Sequence, residues 1–196
     1  MTIPKESYST KNKILDAAKK LAFEEDFDSL TIRDICKEAQ ISVGAFYYHF
    51  SSKEEMINES FLLYDHDLEL RIDEYDESDP IGSLKKVLLD QTEYVSSFPH
   101  KLVVEYYKTL LTSSTKGALN HDRTYYKTVS HFVALAIDRE EFSPDYTEEY
   151  LSNYFIKHIR GNLIHWCMYP NQMDIVAQTS YELDQLIYLF SPKSTP

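Results

Sequence analysis

The chain has 196 residues, of which 32 are Asp or Glu and 20 are Lys or Arg, giving a formal charge of −12. Such a balance argues against the uniform cationic footprint that nucleic acid or an anionic membrane surface requires. A content of 43% hydrophobic and 14% aromatic residues excludes a disordered chain, and four glycines with seven prolines are too few for the many turns of a β-sandwich or barrel.

In chain order, the N-terminal segment lacks an apolar signal core, and the longest apolar run, residues 132–137, is too short to span a bilayer. The expectation is a soluble cytoplasmic protein with no membrane partner. The first helix is predicted over residues 11–25, with Ile14, Ala18, Leu21 and Ala22 at helical spacing and Ser9 or Thr10 as N-cap. It stops at Asp26, which tolerates the left-handed conformation of a helix end. A second, short helix opens at Thr31, which has capping-box spacing to Asp34, and carries Ile32, Ile35, Cys36 and Ala39 on its apolar side. Gln40, Ile41 and Ser42 then lead into a third short helix over residues 43–50, with Ser42 as its N-cap. Two short helices joined by a three-residue turn behind a longer helix outline a helix-turn-helix domain.

A long fourth helix is predicted over residues 53–77, broken at Asp79-Pro80. Further helices follow over 81–97, 99–112, 119–139, 144–168 and 171–190, with prolines at their boundaries and no convincing strand. The fold class is therefore all-α. It comprises a helix-turn-helix domain at residues 1–52 and a larger helical bundle at 53–196. On the last helix Met173, Val176, Ser180, Leu183, Ile187 and Phe190 recur at spacings of 3, 4, 3, 4 and 3. Such a seam buries one face against another helix, either within the chain or across an isologous dimer.

The chemistry concentrates in residues 42–53, SVGAFYYHFSSK. On a helix Phe46 and Phe50 share one side and anchor it in the core. Val43 with Tyr47, and Gly44 with Tyr48, form the outward faces. Gly44 removes a side chain where a DNA backbone could approach, and Tyr47, Tyr48, His49 and Lys53 all offer donors to phosphate oxygens. The competing reading makes the tyrosines half-buried packing residues.

The run KNKILDAAKKLAFEEDFDSLTIRDICKEAQISVGAFYYHFSSKEEM resembles the DNA-binding domain of the TetR (tetracycline repressor) family across nearly all of residues 10–57. The strongest matches are ILDAA, TIRDI and S-x-G-x-F-Y-x-H-F-x-x-K. Asp26 and Gln40 stand where the family commonly has glycine, and Gln40 is expected to shift its turn slightly. The resemblance implies that Tyr47, His49 and Lys53 clamp phosphates, that Thr31 and Ser42 sit at helix starts near the DNA backbone, and that Arg33 is placed to read a guanine edge. Val43, Gly44 and Tyr47 would face the groove at the front of the third helix.

It also implies a homodimer formed through the last two long helices, a pseudo-palindromic double-stranded operator, and a helical core that binds a small-molecule effector and thereby releases a repressor from DNA. Control by a protein partner, or the absence of any effector, is the alternative. From the residues themselves, Tyr106, Tyr107, Arg123, Tyr126, His131, His165 and Trp166 are the candidate ligand contacts, being polar-tipped or aromatic groups on apolar segments. The acidic balance favours a neutral or cationic ligand. Gly161, placed mid-helix, calls for close helix packing or a ligand.

No cofactor or metal site is predicted. The two cysteines, Cys36 and Cys167, form no metal-binding pattern and are expected to be packed thiols. HExxH, P-loop and GxSxG motifs are all absent, and none of the seven histidines follows a Glu by three residues, so an enzyme is not expected. Finally, residues 1–53 carry eight Lys/Arg and eight Asp/Glu, a sum of 8 − 8 = 0. Residues 54–196 carry 12 and 24, which accounts for the full −12. The acidity belongs to the bundle, and the DNA grip must rest on a few placed contacts.

Overall fold

The computed structural model describes residues 5–25, 27, 29–112, 117–170 and 174–193. Among them the chain is wholly helical: α1 (Lys5–Glu24), α2 (Ile32–Glu38), α3 (Val43–His49), α4 (Lys53–Leu70), α5 (Pro80–Ser96), α6 (His100–Thr112), α7 (Thr124–Asp138), α8 (Glu148–Met168) and α9 (Ile175–Phe190). Short 3-10 turns follow α4 at Ile72–Glu74 and precede α7 at Gly117–Leu119. The helices fall into two compact units. One comprises Met1–Leu62 with Phe98–Thr115, and the other Leu63–Ser97 with Lys116–Pro196.

In the first unit α1 packs on α2 and α6, and α2 packs on α3. Ile14, Ala18, Ile35, Phe46, Phe50, Met56 and Phe61 form its core, each no more than 2% exposed. Phe61 stacks on Tyr106 with centroids 4.1 Å apart and lies 4.7 Å from Phe98. Helix α1 begins at Lys5, earlier than its apolar pattern suggests, so Thr10 lies within the helix and neither it nor Ser9 starts it. Asp26 lies outside the described residues. Thr31 and Asp34 make the expected capping box, with Thr31 N donating to Asp34 Oδ2 at 2.9 Å and Asp34 N to Thr31 Oγ1 at 3.2 Å. Gln40 takes the left-handed conformation itself at φ 55°. Its amide and that of Ile41 close α2 on Lys37 O and Cys36 O. A side-chain-bearing residue pays about 1–2 kcal/mol for that conformation.

In the second unit α5 packs on α7, α8 and α9, α7 on α8, and α8 on α9. Leu84, Leu88, Val129, Val133, Phe142, Phe155 and Leu183 are fully buried there. Asp79 caps α5, and its carboxylate occupies the space beside Gly82, where an added β-carbon would come within 2.0 Å of Asp79 Oδ2. Helices α8 and α9 begin later than predicted because Thr147 and Asp174 are their side-chain caps. Helix α4 ends at Leu70, short of residue 77, and a 3-10 turn takes over. Burial pushes the Cys36 thiol pKa up and that of Cys167 up to about 11, as expected of packed thiols.

Candidate functional site

The first site is built on α3. Ser42 Oγ accepts from Ala45 N at 3.1 Å and starts the helix. Phe46 and Phe50, 0% and 1% exposed with rings 5.6 Å apart, fasten its inner side. The outer side is left to solvent: Val43 is 39% exposed, Tyr47 54% and Tyr48 80%. An apolar or aromatic group this exposed has an unpaid hydration cost that a partner surface can relieve. Gly44 is also exposed, and an added β-carbon there would meet only Ser42 Oγ at 3.8 Å. Nothing among the described residues therefore requires a glycine at this position. Thr31 and Arg33, at the start of α2, are exposed as well. His49 is half-buried, and burial, aided by the nearby Lys11 charge, lowers its pKa below the ordinary imidazole value. It is thus a neutral donor at pH 7.

Lys53 departs from the expectation. Its Nζ donates to Phe27 O at 2.9 Å and Leu30 O at 3.0 Å and lies 4.5 Å from the centroid of the Phe27 ring. The ammonium ties the connection between α1 and α2 to the start of α4, so a DNA phosphate would compete with two backbone carbonyls for it. Two other cations of this unit are also engaged internally, Lys11 with Glu59 at 2.6 Å and Lys20 with Glu38 at 2.5 Å.

The second site is a cleft of about 220 Å³ in the second unit, between the Gly117–Leu119 turn, the start of α7 and the middle of α8. Arg123 and Tyr126 line it, as do His121, Tyr125, Lys157 and Arg160. Arg123 Nε donates to Asp65 Oδ2 of α4 at 2.7 Å, and Tyr125 N donates to Asp65 Oδ1 at 3.0 Å. Asp65 thus caps α7 from α4. The His121 and Tyr126 rings stack, with centroids 3.9 Å apart at 8°.

Five of the sequence-derived ligand candidates do not line this cleft. Tyr106 and Tyr107 are buried in the first unit, and Trp166, 9% exposed, belongs to the core of the second. His131 is a surface residue paired with Glu77 at 2.9 Å, and His165 is exposed beside Tyr169. Tyr106, Tyr107 and Trp166 are thus core residues, as polar-tipped aromatics on apolar segments commonly are. The sequence reading missed Lys157, Arg160 and Tyr125. Asn153, Ile156, Lys157 and Arg160 share one face of α8 at helical spacing, a signal that gains meaning only once α7 is known to lie opposite.

The seam on α9 also needs correction. Leu183 and Phe190 are 0% and 3% exposed in a single chain, and Phe190 packs on Tyr146, Tyr154 and Phe155. They have no surface left to bury against a second copy. Val176, Ser180 and Ile187 are half-buried, and Met173 lies outside the described residues. The exposed large apolar residues of α8 and α9 are Tyr150, Met168, Tyr181, Tyr188 and Leu189. Gly161 has nothing within 4 Å of an added β-carbon, so packing among the described residues does not explain it.

No helix among the described residues is long and apolar enough to cross a membrane, and no cluster of three or more metal-ligating side chains occurs among them. Residues 14–59 match the sequence profile of the family described as "Bacterial regulatory proteins, tetR family". The chain is 32% identical over 149 residues to the biofilm operon icaADBC HTH-type negative transcriptional regulator IcaR of Staphylococcus epidermidis, a match that covers 67% of this chain and 75% of that protein. It is 23% identical over 189 residues to the HTH-type transcriptional regulator TtgR of Pseudomonas putida, covering 91% and 90%. Among solved structures, FadR from Bacillus subtilis in complex with stearoyl-CoA superposes with a TM-score of 0.62 at 17% identity, covering 89% of this chain and 96% of that one. NalD of Pseudomonas aeruginosa, the secondary repressor of a multidrug efflux pump, gives 0.57 at 20% identity, covering 94% and 96%. The capped helix-turn-helix, its exposed aromatic face and a relative matched over three quarters of its length together place this chain in the TetR family of bacterial transcriptional regulators, a family of DNA-binding proteins and not of enzymes.

Proposed function

We propose that the protein is a homodimeric cytoplasmic repressor that holds a pseudo-palindromic operator and lets it go when a small molecule binds in its second unit. Residues 1–52 read DNA and residues 53–196 dimerise and sense. The observation that carries the DNA role is the outer face of α3. Val43, Gly44, Tyr47 and Tyr48 are presented to solvent at the front of a helix whose back is locked by Phe46 and Phe50. Tyr47, Tyr48 and His49 donate to phosphates, Thr31 and Ser42 hold the two helix starts at the DNA backbone, and Arg33 reaches a base edge.

Dimerisation is supported by the exposed Tyr150, Met168, Tyr181, Tyr188 and Leu189 on α8 and α9 and by Gly161, whose missing side chain gives a second copy room. Half-buried Val176, Ser180 and Ile187 border that surface. Fluorescence anisotropy on the DNA upstream of the protein's own gene tests the reading. Tyr47→Ala should weaken binding about tenfold or more with the fold intact by circular dichroism. Unchanged affinity removes the assigned face, and a monomer at micromolar concentration in sedimentation removes the dimer.

A further inference from the structure

We infer that the cleft between the Gly117–Leu119 turn, α7 and α8 is a binding site for a small organic anion, a carboxylate or phosphate group on a short apolar or aromatic body. The inference rests on the effector reading above and specifies its ligand class. The whole-chain charge favoured a neutral or cationic ligand, but the local charge reverses that expectation. Of the twelve Lys and Arg in residues 54–196, Arg123, Lys157 and Arg160 line this one cleft, and no lining residue is acidic. Arg123 Nη1 and Arg160 Nη2 each lie 3.4 Å from the same oxygen, that of Ala118, so the two guanidinium groups are at most twice that distance apart. Arg123 has Asp65 as partner, whereas neither Lys157 nor Arg160 has a carboxylate within ion-pair distance among the described residues. Like charges gathered in a recess, with one carboxylate between them, repel one another until an anion enters.

Independent evidence comes from Tyr125. The residue is 6% exposed and lines the cleft, yet its hydroxyl has no hydrogen-bond partner among the described residues. A buried unpaired hydroxyl carries a desolvation cost, and because this oxygen is sealed from solvent behind the cleft wall, a ligand acceptor relieves that cost only once the lining shifts to open it. Burial raises the pKa of this hydroxyl while the charges of Arg123 and Arg160 act to lower it. It therefore stays a proton donor at neutral pH, within the field of both guanidinium groups. The rest of the wall is apolar or flat: Leu119, Ile156 and the stacked His121–Tyr126 pair. At about 220 Å³ the cleft falls below the ~300 Å³ at which drug-sized pockets begin, which limits the ligand to a small body. An anion bound here also competes with Asp65 for Arg123. Because Asp65 belongs to α4 and accepts from the α7 amide of Tyr125, the ligand acts directly on the helix that continues from the DNA-binding unit.

The test uses the whole 196-residue chain and four probes of one shape, benzoate, phenyl phosphate, benzylamine and benzyl alcohol, with inorganic phosphate as the anion lacking a body. Benzoate or phenyl phosphate should raise the melting temperature in thermal-shift assays, and the amine and the alcohol should not. By calorimetry Arg160→Gln should weaken anion binding about tenfold or more, with smaller losses in Lys157→Gln and Tyr125→Phe. The inference is overturned if the amine or the alcohol stabilises as well as the anions, if inorganic phosphate alone matches phenyl phosphate, if neither organic anion has an effect, or if the anion shift survives in the Arg160→Gln/Lys157→Gln protein. Operator binding separates the two claims. Anions that bind in the cleft without loosening DNA leave the anion site standing and remove its effector role. A neutral or cationic compound that releases DNA while the anions bind nowhere keeps the effector role and removes the anion site.

Discussion

Replacing Lys53 with Met distinguishes a structural lysine from a DNA-contacting one. Met keeps most of the aliphatic stem and removes only the ammonium. That ammonium donates to Phe27 O and Leu30 O and sits over the Phe27 ring. A hydrogen bond to a charged group contributes about 1.5–3 kcal/mol, and a cation–π contact about 0.5–1 kcal/mol. Lys53 is half-exposed, and water can reach the freed carbonyls, so the low end applies and the loss should be about 2–3 kcal/mol. For a chain of this size that lowers Tm by roughly 5–10 °C. The informative assay is operator affinity as a function of salt, measured at low temperature where the variant remains folded. A lysine that neutralises a phosphate contributes a slope of about 0.9 per contact in log K against log salt, hence about 1.8 for a dimer. The structural role predicts a lower melting temperature and an unchanged slope. A Lys53→Met protein that melts with the wild type and loses about 1.8 of its slope would refute the reasoning outright.

Gly44→Ala should stabilise the folded protein by about 0.5–1 kcal/mol, since α3 has room for the methyl group, and yet weaken operator binding; denaturant titration and anisotropy on one preparation check both. Leu183→Ala should cost about 3–5 kcal/mol in urea unfolding because that side chain is fully buried. Tyr188→Ala, at a position 83% exposed in one chain, should leave folding unchanged in monomeric protein and weaken self-association in sedimentation. The Asp34 carboxyl, held below the ordinary aspartate range by its hydrogen bonds to the Thr31 side chain and backbone, should titrate by NMR below 3.8. A lowered carboxylate stabilises the fold fully above its unfolded pKa and loses that contribution as pH falls through the folded value. Its effect is thus constant at neutral pH and fades only below about pH 4, and Asp34→Asn should flatten that acid limb.

Local rules left a clear record in the amino-acid order. Thr31 with Asp34, Ser42 ahead of α3, Asp79-Pro80 at the start of α5, and the Phe46–Phe50 pair are interactions across three or four residues, so their geometry is legible before any folding is known. The division of charge, neutral over residues 1–53 and −12 beyond, is likewise a property of the sequence. What the sequence could not reveal was which of two plausible partners a side chain meets. Lys53 has the chemistry of a phosphate clamp, but tertiary structure brings two backbone carbonyls to it first. The α9 seam has a dimer's periodicity, but Leu183 and Phe190 spend their surface inside one chain while Tyr181 and Tyr188 stay exposed. Arg123, Lys157 and Arg160 are separated by up to 37 positions and become one cationic recess only when α7 lies against α8. A helix period fixes which residues share a face. Only packing decides what that face touches, because burial is a property of distant segments meeting and has no trace in the spacing of either one.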